Sequence, residues 1–355
     1  MDPKNSKLEG RIMKKWVIFL LLTFLMTLCT SCEGKSDVGT LTYAVFPYLP
    51  DTEYYQELIE KRWSELEPDI KLVRAEWDCY SDSAPAGIDV VMYDCFVQDK
   101  IIDSGWIKPI ERSSIQNISD IFPFAPEGAS RDGKLYGIPV FLCGNFLIYD
   151  TNCDILEKAE HITDLSGCSG MLVIASEDPL VRSQYILEAA TDIHGKFDPS
   201  ADICAEEEKI IALIDGLAVS GHTQDTADEL ALTYDKGVGE GYIGFSESMR
   251  FLKERMPGTD IKTVSFGSGN NLPLLYADAA AVTAGVGGER YEKCVELMNV
   301  MADAEVLTSL SDDSGEPAYL LLARRSPYTV LSEKFPLYKQ LEKIASDENN
   351  QVITG

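Results

Sequence analysis

The sequence predicts an α/β protein of two lobes with a ligand cleft between them. The chain has 355 residues, more than the roughly 250–300 at which a single hydrophobic core stops growing, so we expect two lobes. Hydrophobic residues make up 45% of the chain, which is typical of a globular protein. Strand-like and helix-like segments alternate along the whole sequence, which favours one α/β protein over unrelated modules.

The mature part of the chain opens with a strand, a helix and two further strands. Residues 41–48 alternate and are rich in strand formers, and residues 54–67 carry apolar side chains at helical spacing before Pro68. Residues 70–76 and 88–93 again have the composition of strands. This order predicts a parallel sheet with right-handed crossovers.

Aromatic and acidic side chains mark the ends of these strands and one later extended segment, residues 273–283. They are Tyr48, Asp78, Tyr80, Asp94, Tyr276 and Asp278. In parallel sheets, ligands bind beyond the carboxyl ends of the strands. Aromatic faces together with carboxylates suit a flat, cationic, nitrogen-rich ligand. The tyrosines could equally be packing residues at a lobe surface, and the residues alone leave both interpretations open.

Cys143 lies in an apolar run, residues 140–149, that predicts one buried strand also containing Asn145. A cysteine acts as a nucleophile in its thiolate form, which requires a base or a positive potential near neutral pH. An unpaired cysteine in an apolar strand is more often a small buried side chain. The residues by themselves do not decide between these two roles.

Glu247 lies at a predicted helix start. Residues 241–245 indicate a short strand, and Ser246 then has the position of an N-cap for a helix over residues 247–255. A carboxylate in this place could simply complement the helix dipole at the surface. In a cleft, partly removed from water, it could instead act as the general base for a thiol.

The chain is strongly acidic. Its formal net charge is −27, and because residues 1–31 carry five Lys or Arg and two Asp or Glu, the remainder carries about −30. Such a surface repels phosphate backbones, which argues against a nucleic-acid partner. The acidity either serves solubility alone or favours a cationic small ligand.

The N-terminus has the pattern of an export signal. Lys14 and Lys15 precede an apolar run over residues 16–28, which is short for a membrane span of about 20 residues. Small polar residues and then Cys32 follow, as in a bacterial lipoprotein signal. We therefore predict a signal peptide over residues 1–31, lipidation of Cys32, and an exported protein at the cell surface or outside the cell. A simple secretory signal, or a start at Met13, remains an alternative.

Seven cysteines follow Cys32, and an odd number leaves at least one thiol unpaired. The sequence does not determine which of the others would form disulfides. None of these seven cysteines forms a CxxC pair with another, and the three histidines are scattered. We therefore predict no metal site.

Six segments resemble, in order and spacing, the motif series of bacterial thiaminase I. They are YAVFPYLPD (43–51), EWDCYS (76–81), IDVVMYD (88–94), YGIPVFLCGN (136–145), YIGFSESM (242–249) and PLLYAD (273–278). The resemblance covers about residues 40–345. It implies a two-lobed periplasmic-binding-protein type II fold, with one lobe formed by residues 40–148 plus 263–308 and the other by 149–262 plus 309–355.

The resemblance also implies a reaction without metal or organic cofactor, namely degradation of thiamine by base exchange in a monomer. Cys143 corresponds to the nucleophile that attacks the pyrimidine, and Glu247 to the base that deprotonates it. The thiazole leaves, and an amine or thiol co-substrate takes the pyrimidine. The resemblance assigns substrate binding to two cleft carboxylates and to aromatic lining residues. They are Asp94, Asp278, Tyr48, Tyr80 and Tyr276.

The chain departs from the family pattern at Phe46 and Phe245, where tyrosines are expected, so substrate affinity or range is open to change. Two other functions remain possible at this stage. The first is a lipoprotein that captures thiamine or a pyrimidine for an import permease, although a pure binder needs neither Cys143 nor Glu247. The second is a carbohydrate- or peptide-binding lipoprotein that shares the fold alone.

Overall fold

The computed structural model describes residues 38–198, 205–267 and 270–353. The strands in this part of the chain are β1 (Thr40–Ala44), β2 (Lys71–Arg74), β3 (Val90–Asp94), β4 (Ser130–Arg131), β5 (Lys134–Leu135), β6 (Ile138–Cys143), β7 (Phe146–Asp150), β8 (Leu172–Val173), β9 (Gly241–Gly244), β10 (Thr259–Lys262), β11 (Leu274–Val282), β12 (Asp312–Asp313), β13 (Glu316–Pro317), β14 (Leu321–Leu322) and β15 (Gln351–Val352). The α-helices are α1 (Thr52–Leu66), α2 (Gln98–Asp103), α3 (Ala125–Gly128), α4 (Asp154–Lys158), α5 (Pro179–His194), α6 (Ala205–Leu217), α7 (Ala227–Asp235), α8 (Gly288–Met301), α9 (Ala304–Ser311), α10 (Ser326–Lys334) and α11 (Tyr338–Ala345).

The larger sheet has the strand order β14–β6–β11–β3–β1–β2, with β15 paired to β11. Strand β1 pairs in parallel with β2 and with β3, as the strand–helix–strand opening predicts. Strand β11 runs antiparallel to both β3 and β6, so the sheet is mixed. The carboxyl ends of β3 and β6 therefore meet the first half of β11 at one edge of the sheet.

Helix α1 begins earlier than the apolar spacing predicts. The Asp51 carboxylate accepts a hydrogen bond from the backbone N–H of Tyr54 at 3.0 Å and so caps the first turn. The helix buries Tyr55, Ile59 and Trp63. Their spacing of four residues places them on one face, which packs into the core.

The chain changes sheet directly after Cys143. A smaller sheet has the order β10–β7–β9–β8, and the prediction of one strand over residues 140–149 is wrong, because β6 belongs to the larger sheet and β7 to the smaller one. A Cβ on Gly144 would lie 2.9 Å from Leu275 Cδ2, so this segment passes too close to β11 for a side chain. We call Gly144 and Asn145 the crossover.

The predicted helix over residues 247–255 is also wrong. A 3₁₀ helix, Ser246–Phe251, takes its place, and Phe245 occupies the N-cap position without a capping side chain. The Ser246 hydroxyl is buried without a hydrogen-bond partner, so Ser246 is not an N-cap. Glu247 nevertheless lies in the first turn, where it was expected.

The division into lobes at residues 148 and 262 stays a prediction. The larger sheet holds β1 to β3, β6 and β11, and the smaller sheet holds β7 to β10. The closing segment, residues 309–355, was predicted with the second lobe. Its strands β14 and β15 instead hydrogen-bond to β6 and β11 in the larger sheet.

The predicted signal peptide over residues 1–31 and Cys32 lie outside the described residues, as does Cys204. Within the described ranges, no helix has the length and apolarity to cross a membrane. The cysteines in these ranges are free thiols: Cys79, Cys95, Cys143, Cys153, Cys168 and Cys294.

Candidate active site

Strand register places four of the predicted residues on one face of the larger sheet. Asp278 on β11 is the Cα partner of Asp94 on β3, and Tyr276 is the Cα partner of Cys143 on β6. Directly opposed residues of antiparallel strands share a face, and so do residues two apart on one strand. Cys143, Tyr276, Asp278 and Asp94 therefore lie on the same face, at the edge where β3 and β6 end.

Register in the smaller sheet brings Glu247 to the same place. Phe146, at the start of β7, is the Cα partner of Gly244, at the end of the antiparallel strand β9. Cys143 precedes Phe146 by three residues and Glu247 follows Gly244 by three, so both lie beyond the same end of this strand pair. The negative charge of Glu247 is one cause of the raised pKa of the Cys143 thiol.

Three aromatic residues, Phe46, Tyr48 and Tyr80, form what we call the aromatic rim. The ring centroids of Tyr48 and Tyr80 are 5.9 Å apart, and Phe46 lies 5.4 and 6.2 Å from them. Tyr48 is 63% exposed and Tyr80 is 44% exposed. This combination leaves aromatic faces open to stack against a flat ligand.

Hydrogen bonds hold the rim against the acidic edge of the sheet. The Tyr80 hydroxyl donates to Asp94 Oδ2 at 2.5 Å. The Tyr48 hydroxyl donates to Asp78 Oδ2 at 3.1 Å, and the backbone N–H of Tyr80 donates to Asp78 Oδ1 at 2.9 Å. Asp78 therefore orients both rim tyrosines. Asp94 links the rim to the sheet face formed by Asp278, Tyr276 and Cys143, which we call the floor of the site.

Cys143 is a half-buried residue, and its thiol lies near several carboxyl groups. Burial raises its pKa well above the ordinary value, and the negative charges of Asp278, Glu247, Asp94 and Glu188 raise it further. No hydrogen bond joins the thiol to Glu247 within the described part of the chain. In this state the cysteine is a neutral thiol, and a nearby positive charge would favour its thiolate.

The two sheet carboxyls differ in how their charge is stabilised. Burial raises the pKa of Asp94, but hydrogen bonds from the Tyr80 hydroxyl and from the backbone N–H of Phe96 oppose this shift. Burial and the charges of Asp94 and Glu247 raise the pKa of Asp278 well above its ordinary value. Asp278 is therefore the carboxyl of this pair whose ionised form is less stabilised by its surroundings.

Glu247 has the protonation behaviour that a general base requires. Burial raises its pKa from 4.5 to about 7, against the opposing effects of a hydrogen bond from its own backbone N–H and the charge of Arg250. Arg250 is itself paired with Asp228 at 3.3 Å. A carboxyl with a pKa near the working pH can both accept and return a proton.

Tyr276 differs from the other predicted aromatic residues. It is 4% exposed and packs with Leu274 and Ile353 against Cys143. Its hydroxyl is buried without a hydrogen-bond partner. It therefore forms part of the floor below the thiol, whereas Tyr48 and Tyr80 face the opening.

Sequence reasoning missed two buried side chains near Cys143, Asn145 and Glu188. The Asn145 amide donates a hydrogen bond to Glu188 Oε1 at 2.6 Å. Asn145 was expected inside a strand, and Glu188 is one polar residue among several on helix α5. No local pattern distinguishes them, because their contact spans 43 positions of sequence.

Together, the elements suit nucleophilic chemistry on a flat cation. The site combines the thiol of a half-buried cysteine, a carboxyl with a pKa of about 7, an acidic sheet edge and the aromatic rim. Carboxylates favour a cationic ligand, and the rim offers stacking surfaces for its rings. A thiol with an adjacent base can attack an electron-poor carbon of such a ligand.

Comparison with known proteins identifies relatives over nearly the whole chain. No protein-family model matches the sequence. Thiaminase-1 of Paenibacillus thiaminolyticus is 28% identical over 381 aligned residues, covering 98% of this chain and 92% of that protein.

Solved structures give the same result. Thiaminase I from Bacillus thiaminolyticus and Clostridium botulinum thiaminase I in complex with thiamin are each 27% identical, with TM-scores of 0.80 and 0.79. Both alignments cover 88% of this chain and 93% of the other. Maltose-bound MalE3 of T. maritima, at 12% identity, a TM-score of 0.62 and coverage of 88% and 89%, shares the fold alone. The chain is therefore a relative of bacterial thiaminase I with the periplasmic-binding-protein type fold, as its six sequence motifs predicted.

Proposed function

We propose that this protein degrades thiamine by base exchange, with Cys143 as nucleophile and Glu247 as its general base. The observation that carries the proposal is the convergence of a half-buried cysteine and a carboxyl of pKa about 7 beyond the same end of the β7–β9 pair. The relatives named thiaminase I, one of them in complex with thiamin, support the choice of substrate.

The proposed reaction needs no redox change. Glu247 takes the thiol proton, and the Cys143 thiolate forms a bond to a carbon of the electron-poor pyrimidine ring. The electron pair added to the ring then breaks the bond from the methylene bridge to the thiazolium nitrogen, so the thiazole leaves as a neutral base. An amine or thiol adds at the methylene carbon and loses its proton, and the ring expels the Cys143 thiolate. Covalent capture divides one difficult displacement into easier steps.

The charge of thiamine explains why an acidic site can use a thiolate. The carboxyls around Cys143 disfavour its thiolate in the ligand-free protein. Binding of the thiazolium cation beside them offsets this negative potential and lowers the pKa of the thiol. The substrate itself thus promotes ionisation of the nucleophile, and Glu247 provides the acceptor for its proton.

Substrate binding is assigned to Asp94 and Asp278 for the pyrimidine edge and the cation, and to Tyr48, Tyr80 and Tyr276 for the aromatic lining. The hydrogen bond between Tyr80 and Asp94 and the pairing of Asp94 with Asp278 support one continuous subsite. Phe46 adds a rim surface without a hydroxyl. We expect stacking at this position to persist without the hydrogen bond that a tyrosine would supply.

Export and anchoring follow from the N-terminal pattern. We propose that the chain is exported as a monomer and held at the membrane through a lipid on Cys32. The support is the sequence of residues 14–32. Radiolabelled palmitate should appear on the native protein and not on Cys32→Ala, whereas a labelled Cys32→Ala protein would contradict the anchor.

The decisive experiment is incubation of the native protein with thiamine and pyridine. We expect release of free thiazole, transfer of the pyrimidine to pyridine, and, without pyridine, a pyrimidine adduct on Cys143 detectable by mass spectrometry. Thiamine binding without any release of thiazole would contradict the proposal and favour the alternative function, a binding protein of an import system. That alternative is not favoured, because capture alone requires neither the thiol nor the base.

A further inference from the structure

A buried carboxyl, that of Glu188, lies near Cys143 and has no part in the proposed steps. Glu188 is 6% exposed and lies in the second half of helix α5. Its charge contributes to the raised pKa values of both Cys143 and Tyr276, so it is close to the floor of the site. Burying a carboxyl group costs free energy unless it forms hydrogen bonds, so the contacts of Glu188 indicate what it does.

The contact of Glu188 is with the crossover. Asn145 is 7% exposed, and its amide donates to Glu188 Oε1 at 2.6 Å and to Gln184 Oε1 at 3.4 Å. Both acceptors belong to one turn of helix α5. The helix therefore holds the second residue of the segment that carries the chain from Cys143 into the smaller sheet.

The orientation of the crossover decides how the thiol faces its base. Cys143 is the last residue of β6 in the larger sheet. Phe146 is the first residue of β7 in the smaller sheet, where it pairs with Gly244. Gly244 in turn precedes Glu247 by three residues. The crossover is the short segment that connects these two sheets. Gly144 already lies against β11, with its ideal Cβ position 3.2 Å from Leu274 O, so Asn145 provides the remaining constraint.

We infer that Glu188 is a positioning residue, which acts through Asn145 to fix the crossover and thereby hold the Cys143 thiol within reach of Glu247. The inference rests on the proposed function of this site. Burial raises the pKa of Glu188 well above its ordinary value, and the hydrogen bonds from Asn145 oppose this shift. An uncharged glutamine at this position would accept the same hydrogen bond from Asn145.

A purely structural role makes different predictions. If Glu188 only stabilised helix α5, its loss would lower the melting temperature and leave the kinetics of folded molecules unchanged. A positioning role changes kcat with little effect on KM, because the aromatic rim that binds substrate is formed by a different part of the chain. Misplacement of a nucleophile by about 1 Å can cost about 10²-fold in rate.

The test compares Glu188→Leu, Glu188→Gln and Asn145→Ala in the full chain, with thiamine and pyridine as substrates. We expect Glu188→Leu and Asn145→Ala each to lower kcat about 10- to 100-fold with KM within about threefold of native. Glu188→Gln should stay within about threefold of native in both constants. The double variant should be no slower than the slower single variant, because both act through one contact.

Asp192→Asn is the matched control. Asp192 lies one turn further along α5, is 2% exposed, and accepts hydrogen bonds from Ser265, Phe266 and Leu272, none of which belongs to the crossover. We expect it to lower thermal stability and to leave kcat unchanged. A loss of kcat in Asp192→Asn equal to that in Glu188→Leu, or native kcat in Glu188→Leu, would overturn the inference.

Alkylation of Cys143 by iodoacetamide, followed by mass spectrometry, gives a readout independent of turnover. Glu188→Leu should slow alkylation several-fold in the native background and have no effect in the Glu247→Gln background, because positioning acts through Glu247. If the native protein released no thiazole, the proposed function would fail on its own. An alkylation rate that Glu188→Leu leaves unchanged would then still reject the positioning role.

Discussion

The aromatic rim and the floor of the site are neighbours, but they differ in burial and in the role that we expect each to have. Tyr48 and Tyr80 of the rim are 63% and 44% exposed, whereas Tyr276 and Asp278 of the floor are 4% and 9% exposed. Exposed rings bind a ligand without changing the protonation of any reacting group. Burial in the floor instead shifts the pKa values of Cys143 and Asp278. We therefore expect changes in the rim to affect KM and changes in the floor to affect kcat.

The largest effect should follow the loss of the nucleophile. Cys143→Ser replaces the thiol by a hydroxyl that stays protonated at neutral pH, so the pyrimidine cannot be captured covalently. We expect kcat to fall by at least about 10³-fold while thiamine still binds. Thiazole release and equilibrium binding of thiamine measure the two quantities. A loss of thiamine binding as large as the loss of kcat would mean that the floor contributes to binding as well as to catalysis.

Loss of the base should follow in size. Glu247→Gln keeps the shape of the side chain but cannot accept the thiol proton, so we expect kcat to fall about 10²- to 10⁴-fold. In the native protein Glu247 has a pKa of about 7 and must be ionised to act. Activity should therefore fall as the pH drops below about 7. A pH–rate profile that is flat between pH 5 and pH 8 would contradict this role.

A change in the rim should be smaller and should appear in KM. Tyr80→Phe removes the hydroxyl that donates to Asp94 and leaves that carboxylate with the backbone donor of Phe96. We expect KM to rise about 10- to 100-fold with kcat nearly native, because a hydrogen bond to a charged group contributes about 1.5–3 kcal/mol. Tyr48→Phe is the matched control, since the Tyr48 hydroxyl donates to Asp78 instead of Asp94.

Steady-state kinetics of the two variants decide this prediction. A fall in kcat for Tyr80→Phe equal to its effect on KM would place Tyr80 in the floor instead of the rim. Equal effects of Tyr80→Phe and Tyr48→Phe on KM would show that the hydrogen bond to Asp94 contributes no more to substrate binding than the hydrogen bond to Asp78.

The smallest expected effect is on stability. The pKa of Glu247 is about 4.5 when unfolded and about 7 when folded, so the folded state binds its proton more tightly. This contribution is fully present below pH 4.5 and is lost as the pH rises through 7. Glu247→Gln cannot ionise, so its melting temperature should exceed that of the native protein by about 2–4 °C at pH 8. Calorimetry should show no such difference at pH 4.5.

Local patterns predicted the opening of the chain well and its middle less well. The strands and helix of the first unit follow from alternation, helical spacing and Pro68, and the structure has them as β1, α1, β2 and β3. The apolar run over residues 140–149 was predicted as one strand, because hydrophobicity does not show where a buried chain leaves one sheet for another. The helix after Ser246 was mispredicted because a capping residue is recognised by type and not by its actual contacts.

The sequence by itself determined the α/β class, the acidic character and the motifs that identify the relatives. Those properties depend on composition and on short-range order, which any stretch of the chain carries alone. Only the tertiary structure decided that Cys143 and Glu247 lie beyond one strand pair and that Asn145 bonds to Glu188. Such contacts join residues separated by 43 or more positions, and register and burial set them once the sheets are packed.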